Sequence, residues 1–161
     1  MNLFVLIYAI MLQALPSNYT IQYSFSSGTV APPYKYKYTI EINSKGEGLI
    51  TYTPDAVLKT SWTEKFVASK SDIRTIYKYL KSSGSFNKQW TENENNPLGG
   101  STENVKIVAK NQSITIPSFP KEKDDADKIM KMIRKLIPQN LINSYTVKKD
   151  ALVKAYLEGN K

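Results

Sequence analysis

The chain has 161 residues, of which 41% are hydrophobic and 22% charged, so it can bury one substantial core without disulfides. It has no cysteine and no histidine, which excludes thiol catalysis, zinc sites built on these residues, and imidazole-based triads. The net charge of +8 comes almost entirely from lysine, since Arg74 and Arg134 are the only arginines. Because phosphate recognition favours the guanidinium fork, this charge alone is weak evidence for a polyanion partner.

The amino-terminal region is uncharged through residue 34, and residues 3–12 form an almost unbroken apolar run. The run is shorter than the roughly 20 residues of a spanning helix, but it has the length of a signal-peptide core. Three interpretations stay open: a signal or export segment over residues 1–14, a translation start at Met11, or a buried amino-terminal helix or strand. The first places the protein in the cell envelope or outside the cell, and the second leaves it in the cytoplasm.

Residues 15–161 predict a single domain that begins with alternating strands. Four apolar residues at every second position predict a first strand: Tyr19, Ile21, Tyr23 and Phe25. A β-hairpin follows over residues 36–52, with four residues on its buried face: Tyr36, Tyr38, Ile40 and Ile42. The opposite face, which carries Lys37, stays open to a partner. The predicted turn consists of Asn43, Lys45, Gly46 and Gly48.

A further strand and two amphipathic helices follow the hairpin. The strand over residues 61–67 is expected to bury the face that carries Trp62, Glu64 and Phe66. Ser69 and Asp72 form a variant capping box at the start of the first helix, and Gly84 supplies its stop. The apolar stripe of this helix recurs at helical spacing: Ile73, Ile76, Tyr77 and Leu80.

A second hairpin over residues 105–116 leads to the second helix. Asp124 and Asp125 suit its amino-terminal dipole, and Pro138 ends it. Its apolar stripe contains six residues: Ala126, Ile129, Met130, Ile133, Leu136 and Ile137. Beyond it we expect a short helical continuation near Tyr145 and a last helix that begins at a Thr146 cap. The whole pattern predicts a single α+β domain: a mostly antiparallel sheet of about six strands, two main helices on one face, and a short helical tail.

Four stretches of the chain resemble a small bacterial family of α+β domains whose function is uncharacterised: PPYKYKYTIEI, WTEKF, NPLGGSTE and IPSF. The resemblance covers roughly residues 15–141. It implies the order strand, hairpin, strand, helix, hairpin, helix. It implies a fold and no chemistry, because no activity or catalytic residue is associated with the family.

Residues 96–102 form the most suggestive loop, because two glycines followed by hydroxyl side chains can present backbone amides to an anion. The candidate ligand-binding residues there are Gly99, Gly100, Ser101 and Thr102. The loop lacks the spacing and the lysine of a nucleotide-binding P-loop, and a strand follows it instead of a helix. A structural turn is the competing interpretation.

Basic residues form a stripe on each predicted helix: Lys70, Arg74, Lys78 and Lys81 on the first, and Lys128, Lys131 and Lys135 on the second. These stripes could bind a phosphate backbone or an acidic membrane, with Lys78 and Lys131 as the residues to test. Both stripes lie opposite apolar stripes, where surface helices ordinarily carry solvated charge. The dense tyrosines between Tyr19 and Tyr52 could stack bases or sugars, but their spacing favours the core.

No catalytic residue, cofactor or metal site emerges from the sequence. Glu92, Glu94 and Glu103 surround the long loop but lack the spacing of a calcium-binding loop. We therefore expect a non-catalytic binding or structural module, with a protein or an envelope component as its partner. The alternative is a polyanion or nucleic-acid binder that uses the lysine stripes, and the third class is an enzyme that works through tyrosine, lysine or carboxylates.

Overall fold

The computed structural model describes residues 14–94 and 99–159. Residues 1–13, which hold most of the expected export segment and the alternative start at Met11, lie outside the described residues. The described strands are β1 (Thr20–Ser26), β2 (Tyr36–Asn43), β3 (Glu47–Pro54), β4 (Trp62–Val67), β5 (Thr102–Ala109) and β6 (Gln112–Ile116). The described helices are α1 (Lys70–Ser82), α2 (Lys123–Arg134) and α3 (Gln139–Gly159), with short 3-10 turns over Ala56–Leu58 and Ser85–Asn87.

All six strands belong to one antiparallel sheet with the order β4-β3-β2-β1-β5-β6. The alternation along each strand puts apolar residues on one face, where α1 and α2 cover them. Ile21, Ile40, Ile50 and Ile107 are at most 1% exposed on this face. The single α+β domain with two main helices on one face of the sheet is therefore confirmed.

The ends of the first helix follow the sequence pattern. The Ser69 hydroxyl accepts a hydrogen bond from the backbone N–H of Asp72, which satisfies an otherwise unpaired donor in the first turn. Gly84 adopts a left-handed conformation with φ of 68° just beyond α1. Phe86 then folds back to contact the Tyr77 ring, at 6.1 Å between centroids. The predicted cap, stop and hydrophobic contact are confirmed.

Two local expectations were wrong. Gly48 does not belong to the β2–β3 turn but lies within β3, opposite Phe66 of β4. The helical tail is one 21-residue helix, and Thr146 lies inside it instead of capping a new one. The Thr146 hydroxyl donates to the Ile142 carbonyl four residues back, so the chain continues helically through this position.

Aromatic side chains form a row across four adjacent strands on the helix-covered face. In register order they are Phe25, Tyr38, Tyr52 and Trp62. Tyr145 of α3 packs on this row, with ring centroids 5.1 Å from Tyr52 and 6.0 Å from Trp62. The row attaches α3 to the sheet because a fully buried tyrosine contributes a large apolar contact area.

Candidate functional site

The second face of the sheet is bare, since no described helix or strand packs on it. Its side chains are mainly hydroxyl, amide and charged groups, as expected for the wet face of an antiparallel sheet. Two apolar side chains on this face are nevertheless exposed, Leu49 at 37% and Val67 at 82%. Exposed apolar residues on an uncovered sheet face can contribute to a contact surface.

A depression of about 650 Å³ lies on this face, at the end of the sheet that holds the β2–β3 turn. Strands β1 to β4 all contribute to it. The lining residues are Thr20, Gln22, Glu41, Ile42, Asn43, Glu47, Gly48, Leu49, Lys65, Phe66 and Val67. Pockets of roughly 300–1,000 Å³ with apolar walls and a few polar groups are typical of small-ligand sites.

The strand register arranges the charged and apolar lining residues in order. Glu41 of β2 is directly opposite Leu49 of β3, and Leu49 is directly opposite Lys65 of β4. In the next row towards the turn, Glu47 is opposite Val67. Along the row through Leu49 the lining therefore changes from acidic to apolar to basic. Glu47 lies on the middle strand, diagonal to both Glu41 and Lys65, and forms with Glu41 the acidic side of the depression.

Hydrogen bonds hold the acidic side in place. The Gln22 side-chain amide donates to Glu41 Oε1 at 3.3 Å, and the Asn43 amide donates to Glu47 Oε2 at 2.7 Å. Asn43 Oδ1 in turn accepts from the backbone N–H groups of Lys45 and Glu47, at 2.9 and 3.1 Å. The turn thus orients the Glu47 carboxylate, because the Asn43 side chain that donates to it is itself hydrogen-bonded to the backbone.

The glycine loop lies elsewhere. Gly99 and Gly100 have φ values of 94° and 87°, which only glycine adopts easily. A Cβ on Gly28 would lie 1.6 Å from the Gly100 carbonyl oxygen, so the two backbones pack closely. The close contact accounts for glycine at position 28, whereas the positive φ values account for Gly99 and Gly100. Thr102 is the first residue of β5.

Ser101 borders a second, smaller pocket of about 190 Å³ between the loop and α2. Glu103, Asp127 and Arg134 also line this pocket, and Arg134 is paired with Glu103 at 3.3 Å. The guanidinium is therefore already partly neutralised. Of the four loop candidates, this pocket includes only Ser101, and none of them reaches the depression on the bare face.

The two basic stripes do not merge into one surface. Tyr79 faces α2, because its hydroxyl donates to Asp125 Oδ1 at 3.3 Å and Lys128 Nζ lies 4.3 Å from its ring centroid. At 3.6 residues per turn, Arg74 and Lys81 lie about 140–160° around α1 from Tyr79. They consequently point away from α2, and the groove between the helices contains an aromatic ring and a carboxylate.

Asp125 is the acidic centre of this groove. The Lys88 ammonium donates to Asp125 and holds the pKa of that carboxyl below its usual range. Lys78 and Lys131, the two residues singled out as polyanion contacts, are both exposed on the helix layer. That layer lies on the opposite side of the sheet from the depression.

The tyrosines of strands β1 to β3 pack in or against the core, whereas Tyr34, just before β2, is exposed. Tyr38 stacks between Phe25 at 5.0 Å and Tyr52 at 6.3 Å, so its faces are occupied. Burial raises the pKa of Tyr19 and Tyr23 well above the ordinary tyrosine value. A base or sugar would have to displace a neighbouring ring, because the ring faces are already used.

The acidic residues around the long loop are dispersed. Glu94 pairs with Lys121 at 3.8 Å, whereas Glu103 pairs with Arg134. In the part of the chain that the structure describes, no group of three acidic residues is placed to hold a metal ion. Across the same residues, the helices are too short or too polar to cross a lipid bilayer.

Sequence reasoning did not single out Glu41, Leu49 or Lys65. The alternation in β2 indicated a wet face that could meet a partner, and this was the only available signal. Which residues of four strands share one end of that face depends on strand order and register, which the sequence does not reveal. Comparison of the chain with protein-family models and with curated proteins finds no match to either.

Proposed function

We propose that the protein is a non-catalytic binding module and that the bare face of the sheet is its recognition surface. The observation that carries the proposal is the depression of about 650 Å³ on that face, with Leu49 and Val67 exposed in it. The opposite face supports the same assignment, because side chains of the helices already fill it. A ligand or partner therefore has an apolar concavity of suitable size available on the bare face.

The positions of the titratable groups with shifted pKa values favour binding over catalysis. Catalytic acids and bases are commonly found as clustered groups with shifted pKa values in a cleft. The clear shifts among the described residues fall on buried tyrosines, on Asp125 in the helix groove, and on Lys123 at the surface of α2. None of these groups lines the depression.

A small-molecule screen followed by amide NMR tests the proposal. A mixed set of small apolar and polar compounds should perturb the amides of β2, β3 and β4 around Leu49 and Val67. Val67→Asp should abolish these shifts, whereas the matched control Val147→Asp, at an exposed position of α3, should leave them unchanged. Perturbations confined to the helix layer, or equal effects of both variants, would contradict the proposal.

The second candidate function is polyanion binding by the helix layer. The observation that favours it is the pair Lys131 and Lys135, which are exposed and form no ion pair within the described residues. Against it, Arg74 and Lys81 of α1 point away from α2. Electrostatic binding of this kind weakens steeply as salt rises, because bound counterions are released.

Oligonucleotide affinity at several salt concentrations tests this second function. The double variant Lys78→Glu and Lys131→Glu should abolish binding if the helix layer is the contact surface. Lys37→Glu with Lys106→Glu is the matched control, since it makes the same charge change on the bare face. Equal losses in both double variants would show a net-charge effect, and unchanged binding in the first would dismiss the idea.

A further inference from the structure

We propose that the depression binds a small zwitterion whose ammonium and carboxylate groups are separated by an apolar chain. This inference rests on the proposed function, because it specifies the ligand of the same depression. In the proposed complex the ammonium group contacts Glu41 and Glu47, the apolar chain contacts Leu49 and Val67, and the carboxylate contacts Lys65.

The acidic side has capacity for a cation. Neither Glu41 nor Glu47 forms an ion pair within the described residues, and each carboxylate accepts a side-chain amide hydrogen bond through one of its two oxygens. Their positions on adjacent strands are diagonal, and diagonal neighbours lie about 7–8 Å apart. An ammonium group between them can donate to both, because it carries three N–H donors.

Leu49 separates Glu41 from Lys65, the basic residue that lines the depression, whereas Glu47 lies diagonal to Lys65. Leu49 lies between Glu41 and Lys65 in the register, and Val67 is its exposed neighbour on β4. Two strand spacings put Glu41 and Lys65 about 10 Å apart. An extended chain of about five methylene groups across the strands brings its two charged ends within hydrogen-bonding reach of these side chains.

The opposite charges on the two sides select against singly charged ligands. Lys65 forms no ion pair within the described residues, so it repels a simple cation and remains available to a carboxylate. Glu41 and Glu47 repel a simple anion in the same way. Specificity of this kind comes from unfavourable pairings as much as from favourable ones.

Four probes of matched length test the inference on the full chain by amide NMR titration: ε-aminocaproate, hexylamine, caproate and hexanol. We expect ε-aminocaproate to perturb β2 to β4 and to bind about fivefold more tightly than hexylamine or caproate, which is the scale of one partly exposed ion pair. Lys65→Gln should remove its advantage over hexylamine. Glu41→Gln with Glu47→Gln should remove its advantage over caproate, and Lys37→Gln, on the same face, should change neither.

The outcomes separate this inference from the proposed function. If hexylamine or hexanol binds in the depression as tightly as ε-aminocaproate, the zwitterion assignment is overturned while the depression remains a binding site. If none of the four probes perturbs the depression, the inference is also overturned. The proposed function then stands or falls on the independent compound screen and the Val67→Asp variant.

Discussion

Gly48 shows how one residue without a side chain shapes the sheet. The Phe66 ring lies across it, and a Cβ on Gly48 would be 2.4 Å from the ring. Phe66 is only 9% exposed although β4 is an edge strand. The absence of a side chain at position 48 therefore allows an edge residue to be buried on the helix-covered face.

We expect Gly48→Ala to lower the free energy of unfolding by about 1–3 kcal/mol, because the added methyl group displaces the Phe66 ring. Denaturant titration measures the loss. The same substitution in a Phe66→Ala background should cost much less, since the clash is then absent. Gly159→Ala is the control, because nothing lies within 4 Å of a Cβ there. Equal losses in both backgrounds would contradict the explanation.

Among the helices, α3 has the sparsest attachment. Only Tyr145 and Val153 are buried along its 21 residues. Tyr145 stacks on Tyr52 and Trp62, while Lys148 pairs with Glu64 at 3.3 Å. Both members of this ion pair are more than a third exposed, so solvent screens the interaction. The aromatic contact should therefore dominate the attachment of α3.

We expect Tyr145→Ala to cost about 3 kcal/mol or more and to increase amide hydrogen exchange throughout α3. Lys148→Gln, which breaks the ion pair but keeps the aromatic contact, should cost less than about 1 kcal/mol. Hydrogen exchange measured by mass spectrometry distinguishes the two variants. A larger effect of Lys148→Gln than of Tyr145→Ala would show that the charges hold the helix.

For the molecule as a whole, the two faces of the sheet have different roles. One face is filled by helices and contains the buried tyrosines, whereas the other is bare and contains the depression. Burial raises the pKa of Tyr19, Tyr23 and Tyr52, and burial together with the charge of Glu64 raises the pKa of Tyr145 to about 12. Because these tyrosines are buried on the covered face, the free energy of unfolding should depend on pH in the alkaline range.

We expect stability to fall as pH rises above about 10. Below that pH a tyrosine is protonated in both the folded and the unfolded chain, so the free energy of unfolding does not change with pH through this group. Above it the unfolded chain releases protons that the folded chain retains, which lowers the unfolding free energy by up to about 1.4 kcal/mol per pH unit per tyrosine. Tyr145→Phe should make the decline shallower between pH 10 and 12, and exposed Tyr34→Phe is the control. An unchanged slope in Tyr145→Phe would contradict this account.

The helices and most strands were predictable from local signals. Alternation in β2 and β5 indicated which residues are buried, and the Ser69 cap marked the start of α1, because these patterns involve residues close in sequence. Gly48 and Thr146 were misassigned for the opposite reason. A glycine typical of turns is required by a ring on another strand, and a residue typical of caps can also bond backwards within a helix.

The sequence by itself determined the α+β class, the buried faces of most strands and the amphipathic helices, because side-chain periodicity and local capping encode them. It also excluded chemistry that needs cysteine or histidine. Only the tertiary structure decided that Glu41, Leu49 and Lys65 lie side by side, and that the two lysine stripes diverge. These arrangements depend on strand order, register and helix orientation, which are set by long-range packing of the whole core and leave no periodic signal in any single segment.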